Sequence, residues 1–100
     1  MSTRPDIEVI HDADDLRYLI RVGATRHEDN EVVLRYHMRD AKTIDFTSTF
    51  TPPSLRGQGL ARKVVEHALD AAEANDLTII PTCWYVEKIV KERRAAAQKP

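Results

Sequence analysis

The chain has little of what usually marks a specialised protein. Cys83 is its only cysteine in 100 residues. One cysteine cannot form an internal disulfide or a cysteine-based metal cluster. Neither sign of charge is in excess, because 16 acidic and 15 basic residues leave a net charge of −1. A general nucleic-acid binder normally carries surplus Lys and Arg, so that class is disfavoured. No apolar run approaches membrane-spanning length and no secretory pattern is seen at the start, so the expectation is a cytoplasmic protein without membrane contact. The four histidines, His11, His27, His37 and His67, are scattered without paired ligand spacing. Glycine is scarce too, and of the three glycines, Gly57 and Gly59 stand two positions apart.

The length suits one domain, 1–100, with a core over about residues 6–94. Apolar and polar residues alternate in several segments, the pattern of half-buried strands. The signal is weak over Ile7, Val9 and His11. It is clearer over Leu16, Tyr18, Ile20 and Val22, and over Val32, Leu34, Tyr36 and Met38. A third clear segment places Ile44, Phe46, Ser48 and Phe50 on one face. Asp12–Asp15 reads as a turn, Gly23–Asn30 as a polar connection and Arg39–Ala41 as a hairpin turn lacking the favoured glycine. The last three strands predict an antiparallel meander. It must stop at Pro52 and Pro53, which have no N–H for a ladder.

Leu60, Val64, Ala68 and Ala72 then recur every four residues, with Ala61, Val65 and Leu69 beside them, and predict an amphipathic helix. Asn75 and Asp76 end it, with asparagine suited to a left-handed terminus. Leu77–Ile80 predicts a short strand, stopped by Pro81. Val86, Ile89 and Val90 predict a second helix with a basic end at Lys91–Arg94, beyond which Ala95–Pro100 are expected to fray.

The glycine pair sits at the entry to the first helix. Glycine lets a ligand approach the backbone closely. The first amides of a helix have no intrahelical partner and lie at the positive end of its dipole, so they cradle anions, most often phosphate. Arg56 ahead of the glycines, and Arg62 and Lys63 behind them, suit a polyanion. The loop is not a Walker A loop, because no Gly-x-x-x-x-Gly-Lys-Ser/Thr occurs. It is a poor dinucleotide fingerprint, because Arg62 stands where a third glycine or alanine belongs.

Arg56-x-x-Gly59-x-Ala61 resembles the Gln/Arg-x-x-Gly-x-Gly/Ala signature of GNAT-type acetyltransferases. The segment Leu77–Val86, with its Pro81-x-Cys83 step, is similar to a small single-domain branch of that family. The order is strand, Pro-Pro-x-Leu-Arg-Gly-x-Gly-x-Ala, helix, strand, Pro-x-Cys, covering about residues 16–92. Three departures stand out. Ser48-Thr49 replaces a His-Thr pair, Thr51 replaces an aliphatic residue, and Trp84 stands where a small residue is usual.

The resemblance implies an α/β (α+β) GNAT-like fold: a meander, a phosphate-loop helix, a further strand and a C-terminal helix. It implies an N-acetyltransferase that uses acetyl-CoA and an unidentified amine, either a small molecule such as a polyamine or an exposed protein amine. A coenzyme A or acyl-CoA binding module with little catalysis is the alternative, and a small interaction protein with a relict loop is a third. The cofactor groove is expected between the strand ending near Thr51 and Leu77–Ile80. Thr49, Phe50 and Thr51 would hold the thioester arm, and Arg56, Gly57, Gln58, Gly59, Leu60, Ala61 and Arg62 the pyrophosphate. The alternative reading of Arg56, less favoured by the whole pattern, is a surface arginine. Cys83, at a strand end and a helix start where a thiolate is stabilised, is either an acetyl-carrying nucleophile or a packing residue. Tyr85 either protonates the leaving thiolate or packs at the helix start. No strong general base stands out, although His37 and Asp45 lie on strands that could border the groove.

Overall fold

The structure is a computed structural model describing residues 8–23 and 30–98. Ile7, His27 and the chain ends lie outside the described residues. Five strands form one sheet in the order β1-β2-β3-β4-β5. They are β1 (Val9–Asp12), β2 (Arg17–Arg21), β3 (Glu31–Asp40), β4 (Thr43–Phe50) and β5 (Thr78–Ile80). The first four pair antiparallel in chain order, whereas β5 pairs parallel to β4. A parallel neighbour needs a long crossover, supplied here by α1 (Leu60–Ala74). A second helix, α2 (Trp84–Ala97), follows β5.

Both helices share one core with the inward face of the sheet. Ile20, Phe46, Val65, Ala68, Val86 and Ile89 are all fully buried there. The two helices are also clasped by charge. Arg93 of α2 donates to Glu66 (3.0 Å), Asp70 (2.6 Å) and Glu73 (3.4 Å) of α1. Arg62 of α1 reaches Glu92 of α2 at 2.8 Å.

The outward face carries an ion-pair network. Glu31, only 8% exposed, accepts from Arg17 at 3.4 Å and Arg21 at 3.0 Å. Arg17 also donates to Asp12 at 3.2 Å. A carboxylate this buried is tolerable only because both oxygens are engaged. Glu31→Gln is expected to cost about 1.5–3 kcal/mol, because two charge-assisted bonds to a buried carboxylate weaken. Urea unfolding would measure it, and an unchanged midpoint would show the network to be idle.

The structure corrects several local expectations. Leu16 is not the first inward strand residue. It closes the short 3-10 turn Ala13–Asp15 with φ +52° and is 42% exposed. Its carbonyl accepts from the Tyr36 N–H at 3.0 Å, which anchors the turn to β3. At the end of α1 the left-handed residue is Asp76 (φ +57°), not Asn75. Leu77 N–H donates to Ala72 O and Asp76 N–H to Glu73 O, a Schellman closure made without glycine. The β3–β4 hairpin turns on Ala41 and Lys42, where Asp40 Oδ1 accepts from the Lys42 N–H at 2.8 Å. Residues Ala95–Ala97 continue α2 instead of fraying, consistent with alanine's high helix propensity.

Candidate functional site

The site begins with a fault in β4. Arg35 pairs with Ser48, but Tyr36 pairs with Phe46, so Thr47 is an extra residue, a β-bulge. Its hydroxyl donates to Arg35 O at 3.3 Å. The bulge resets the side-chain alternation. Before it, Ile44 and Phe46 point to the core. After it, Thr49 takes the inward face opposite Leu34, and Phe50 turns outward opposite Val33, 52% exposed. The expectation that Ile44, Phe46, Ser48 and Phe50 share one face therefore fails after Phe46.

The neighbouring strand ends at the same level. β5 pairs with β4 only through Thr43–Asp45, and Pro81 has no N–H to continue the ladder. One more bond follows, from the Cys83 N–H to Phe46 O at 2.9 Å. Beyond it β4 runs on to Phe50 with no strand on that side among the described residues.

A cavity of about 510 Å³ fills this opening. It is lined by Thr49, Phe50 and Thr51 from the end of β4, and by Arg56, Gly57, Gly59, Leu60 and Ala61 from the loop into α1. Tyr85 lines it too. Leu55 and Trp84 are lining residues that the sequence reading did not assign. In the sequence Trp84 stands out only as a bulky departure beside Cys83, and Leu55 carries no signal beyond its place between the prolines and the glycines. Three candidates lie outside the lining. Gln58 is exposed at the tip of the turn. The Arg62 side chain is held away by Glu66 and Glu92, both at 2.8 Å. Cys83 is 8% exposed just behind the wall, with its Sγ 3.6 Å from Thr49 Oγ1.

The loop leaves backbone donors free. Gly57 and Gly59 have φ of +80° and +74°, which L-residues rarely adopt. A Cβ at either glycine would meet nothing within 4 Å, so the space before them is open. Gly59 is the N-cap of α1 and supplies no side-chain cap, and no acidic residue lies in the first turn. The amides of Leu60, Ala61 and Arg62 thus keep their donor capacity and the positive end of the dipole. Arg56 borders the cavity and donates from Nε to Thr51 O at 3.1 Å. That bond ties the loop to the end of β4 and occupies a carbonyl expected to face a ligand arm.

The start of α2 also points at this region. Cys83 is its N-cap and gives no side-chain cap bond. The Tyr85 phenol is pushed above its ordinary pKa, chiefly by burial, with Arg62 opposing and Glu92 and Glu66 reinforcing the shift. It therefore keeps its proton at neutral pH. Among the described residues, no imidazole or carboxylate lines the cavity. His37 and Asp45 pair across the strands on the other face of the sheet. The Asp45 carboxyl lies below its usual range, held there first by the Thr82 side chain and then by Arg39, which donates at 3.0 Å, against the effect of burial.

A second hollow of about 320 Å³ lies between Leu69, Ile79, Val90 and Arg93. It offers no free helix start, and of its two arginines, Arg93 and Arg94, the first is already paired with α1.

These features define a class. Residues 17–99 match the family model described as GCN5-related N-acetyl-transferase, and the chain belongs to that family. Among its relatives is Protein NATD1. The Xenopus tropicalis protein is 33% identical over 92 residues, covering 92% of this chain and 82% of the relative. The human protein is 33% identical over 86 residues, covering 86% and 74%. The NMR solution structure of a GCN5-like protein from Staphylococcus aureus superposes with a TM-score of 0.70 at 20% identity, covering 92% of this chain and 85% of that one. At that identity the likeness speaks for the fold.

Proposed function

We propose that the chain transfers an acetyl group from acetyl-CoA to an amine. One observation carries the reading: a single cavity joins an open strand edge, an uncapped glycine-entered helix start and the Thr49–Cys83 contact. The free amides from Gly57 to Arg62 and the Arg56 charge suit a pyrophosphate. The exposed edge of β4 suits the amide-bearing arm of coenzyme A, laid alongside it like an added strand. Open space before both glycines leaves room for a phosphate where a side chain would block it.

The thioester then falls near Thr49 and Cys83. In the proposed path, the Cys83 thiolate attacks the acetyl carbon. The bond from that carbon to the coenzyme A sulfur breaks, and Tyr85 gives its proton to the leaving thiolate. A neutral amine next attacks acetyl-Cys83, the new thioester bond breaks, and Cys83 returns as thiolate. The proton lost from nitrogen passes through water to Tyr85. The backbone N–H groups at the start of α2, next to Cys83, would offset the negative charge developing on the acetyl oxygen. A cytoplasmic setting, expected from the composition, belongs to this reading.

A second reading is a coenzyme A or acyl-CoA binding module with little catalysis. The lack of any imidazole or carboxylate in the lining favours it. Thermal denaturation with acetyl-CoA, followed by thiol release with an amine panel, separates binder from catalyst. No thermal shift would remove both readings. Arg56→Ala is expected to weaken coenzyme A by about 1.5–3 kcal/mol, the worth of a charge-assisted hydrogen bond, while leaving pantetheine nearly unchanged. Calorimetric titration of both ligands checks this. Equal weakening would mean that Arg56 acts only through its bond to Thr51.

A further inference from the structure

The relay proposed above uses Cys83 as a thiolate but names no group that holds its negative charge. The sulfur is in apolar company, because Cys83 is buried in the core cluster that also holds Phe46 and Val86. Such surroundings offer an anion nothing, so its charge must be met by hydrogen-bond donors. Two sources lie nearby. One is the set of free N–H groups at the start of α2, where Cys83 is the N-cap and makes no side-chain cap bond. The relay already aims those groups at the acetyl oxygen. The other is Thr49, whose Oγ1 lies 3.6 Å from the Cys83 Sγ. Among the described residues it is the one side chain bonded to the sulfur, and its hydroxyl makes no other hydrogen bond. Either atom of a thiol–hydroxyl pair can donate. A thiolate can only accept, so in the ionised state the hydroxyl is the donor.

The backbone builds this meeting from both sides. Thr47, the extra residue of the bulge, reverses the alternation of β4 and turns Thr49 inward. Across the opening, Pro81 follows the last residue of β5, and the Cys83 N–H is fastened to Phe46 O at 2.9 Å. Thr49 lines the cavity, whereas Cys83 stands just behind the lining, so the hydroxyl is on the cavity side of the pair. Threonine is stiff at χ1, which limits how far the hydroxyl can swing from the sulfur.

We propose that Thr49 is a positioning residue for the transfer. Its hydroxyl donates to the Cys83 sulfur, favours the thiolate near neutral pH, and meets the charge that returns to sulfur when the amine displaces it from the acetyl group. This rests on the transferase reading above. Thr49 keeps its own proton throughout. The proton of the resting thiol leaves once, to water, before the first attack.

A donor on a thiolate has two opposed effects. It raises the fraction of sulfur that is ionised, and it lowers the nucleophilicity of each thiolate by about half as much on a logarithmic scale. At neutral pH the first effect wins. In alkali, where the sulfur is ionised anyway, only the second remains. Removing the donor must therefore slow the thiol near neutral pH and not in alkali. A change in packing or access acts in the same direction at both.

The test uses the intact chain, whose only thiol is Cys83. Alkylation by iodoacetamide is followed by mass near neutral pH and at about pH 9.5. Thr49→Val keeps the branched shape and removes the hydroxyl. It should react about three- to tenfold more slowly than wild type near neutral pH, and equally fast or up to about threefold faster at the alkaline pH. Thr49→Ser should recover most of the neutral rate. Acetylation of Cys83 by acetyl-CoA without amine should slow in Thr49→Val by a similar factor near neutral pH. Thermal denaturation verifies the fold of each variant. Should Thr49→Val not fold, Thr49→Ala against Thr49→Ser puts the same question, since those two differ by the hydroxyl alone.

A neutral rate that is unchanged or raised without the hydroxyl would overturn the proposal, because Thr49 would then be idle or accepting from the thiol. Equal slowing at both pH values would overturn it too, because access would explain the loss. If the alkylation pattern is found but Cys83 takes no acetyl, the relay falls, and the part of Thr49 in transfer falls with it. Failure of acetyl-CoA to bind is a separate outcome, read as a missing thermal shift. It removes the transferase reading itself and this assignment with it.

Discussion

Gly59→Asp is expected to abolish the response to acetyl-CoA while leaving the fold largely intact. Gly59 is the N-cap of α1 and sits at φ +74°. Aspartate is among the few residues that tolerate this region, so the backbone strain is modest. At an N-cap, its carboxylate would accept from the first free amides of the helix. Those are the donors assigned to the pyrophosphate. The substitution thus caps the helix with the protein's own anion and repels an incoming one. For the parent chain, ligand at one hundred times its dissociation constant should stabilise by about 2.7 kcal/mol. In a domain of this size each kcal/mol raises the melting temperature by about 4–8 °C. That rise should vanish in Gly59→Asp and survive in part in Gly59→Asn, which keeps the size without the charge. A full rise in Gly59→Asp would place the ligand elsewhere.

The second large effect belongs to Cys83. Incubated with acetyl-CoA and no amine, the wild-type chain should gain one acetyl mass increment on the peptide containing Cys83. Cys83→Ala should still bind coenzyme A, yet lose turnover by at least on the order of a thousandfold, as removal of a nucleophile does. Cys83→Ser separates chemistry from packing. It keeps the size of the side chain but is a far weaker nucleophile at neutral pH. Because Cys83 is 8% exposed within the shared core, some stability loss is expected in Cys83→Ala. Turnover must therefore be counted per folded molecule. A fully active Cys83→Ala chain would refute the relay and leave direct attack by the amine on acetyl-CoA.

Much of this architecture was legible in the residues, and the reasons are physical. The period of two in Val32–Met38 and the four-residue repeat from Leu60 to Ala72 each describe one buried face, so β3 and α1 follow from burial alone. The prolines at 52, 53 and 81 mark where ladders stop, because they remove donors. Gly57 and Gly59 mark the loop, because only glycine adopts their φ without strain. What was not legible depends on neighbours far away in the chain. The bulge at Thr47 has no local signature. It exists because Tyr36 and Phe46 must both face the helices while Arg35 meets Ser48. Leu16 reads as one more alternating apolar residue, yet the turn at Ala13–Asp15 leaves it a left-handed cap. Arg62 reads as a phosphate partner by proximity to the glycines. Its fate is decided by Glu92, thirty positions on, which no local pattern exposes.

The extra residue at Thr47 also divides β4 into two dialects of parity. Up to Phe46, even-numbered positions belong to the core: Ile44 and Phe46 are both buried. Past Thr47 the odd position, Thr49, turns inward, and the even position, Phe50, turns to the rim. Polar replacements should therefore be purged at 44 and 46 but accepted at 48. Variation at 50 should follow the ligand and not the interior. Loss of a single residue from this strand would do more than shorten it. Phe50 would move to the interior, Thr49 would leave Cys83, and the β3–β4 ladder would become uninterrupted there. A deletion of one codon could thus silence the site while sparing the hydrophobic interior, and homologous strands compared without allowance for that extra residue would be read with inside and outside exchanged.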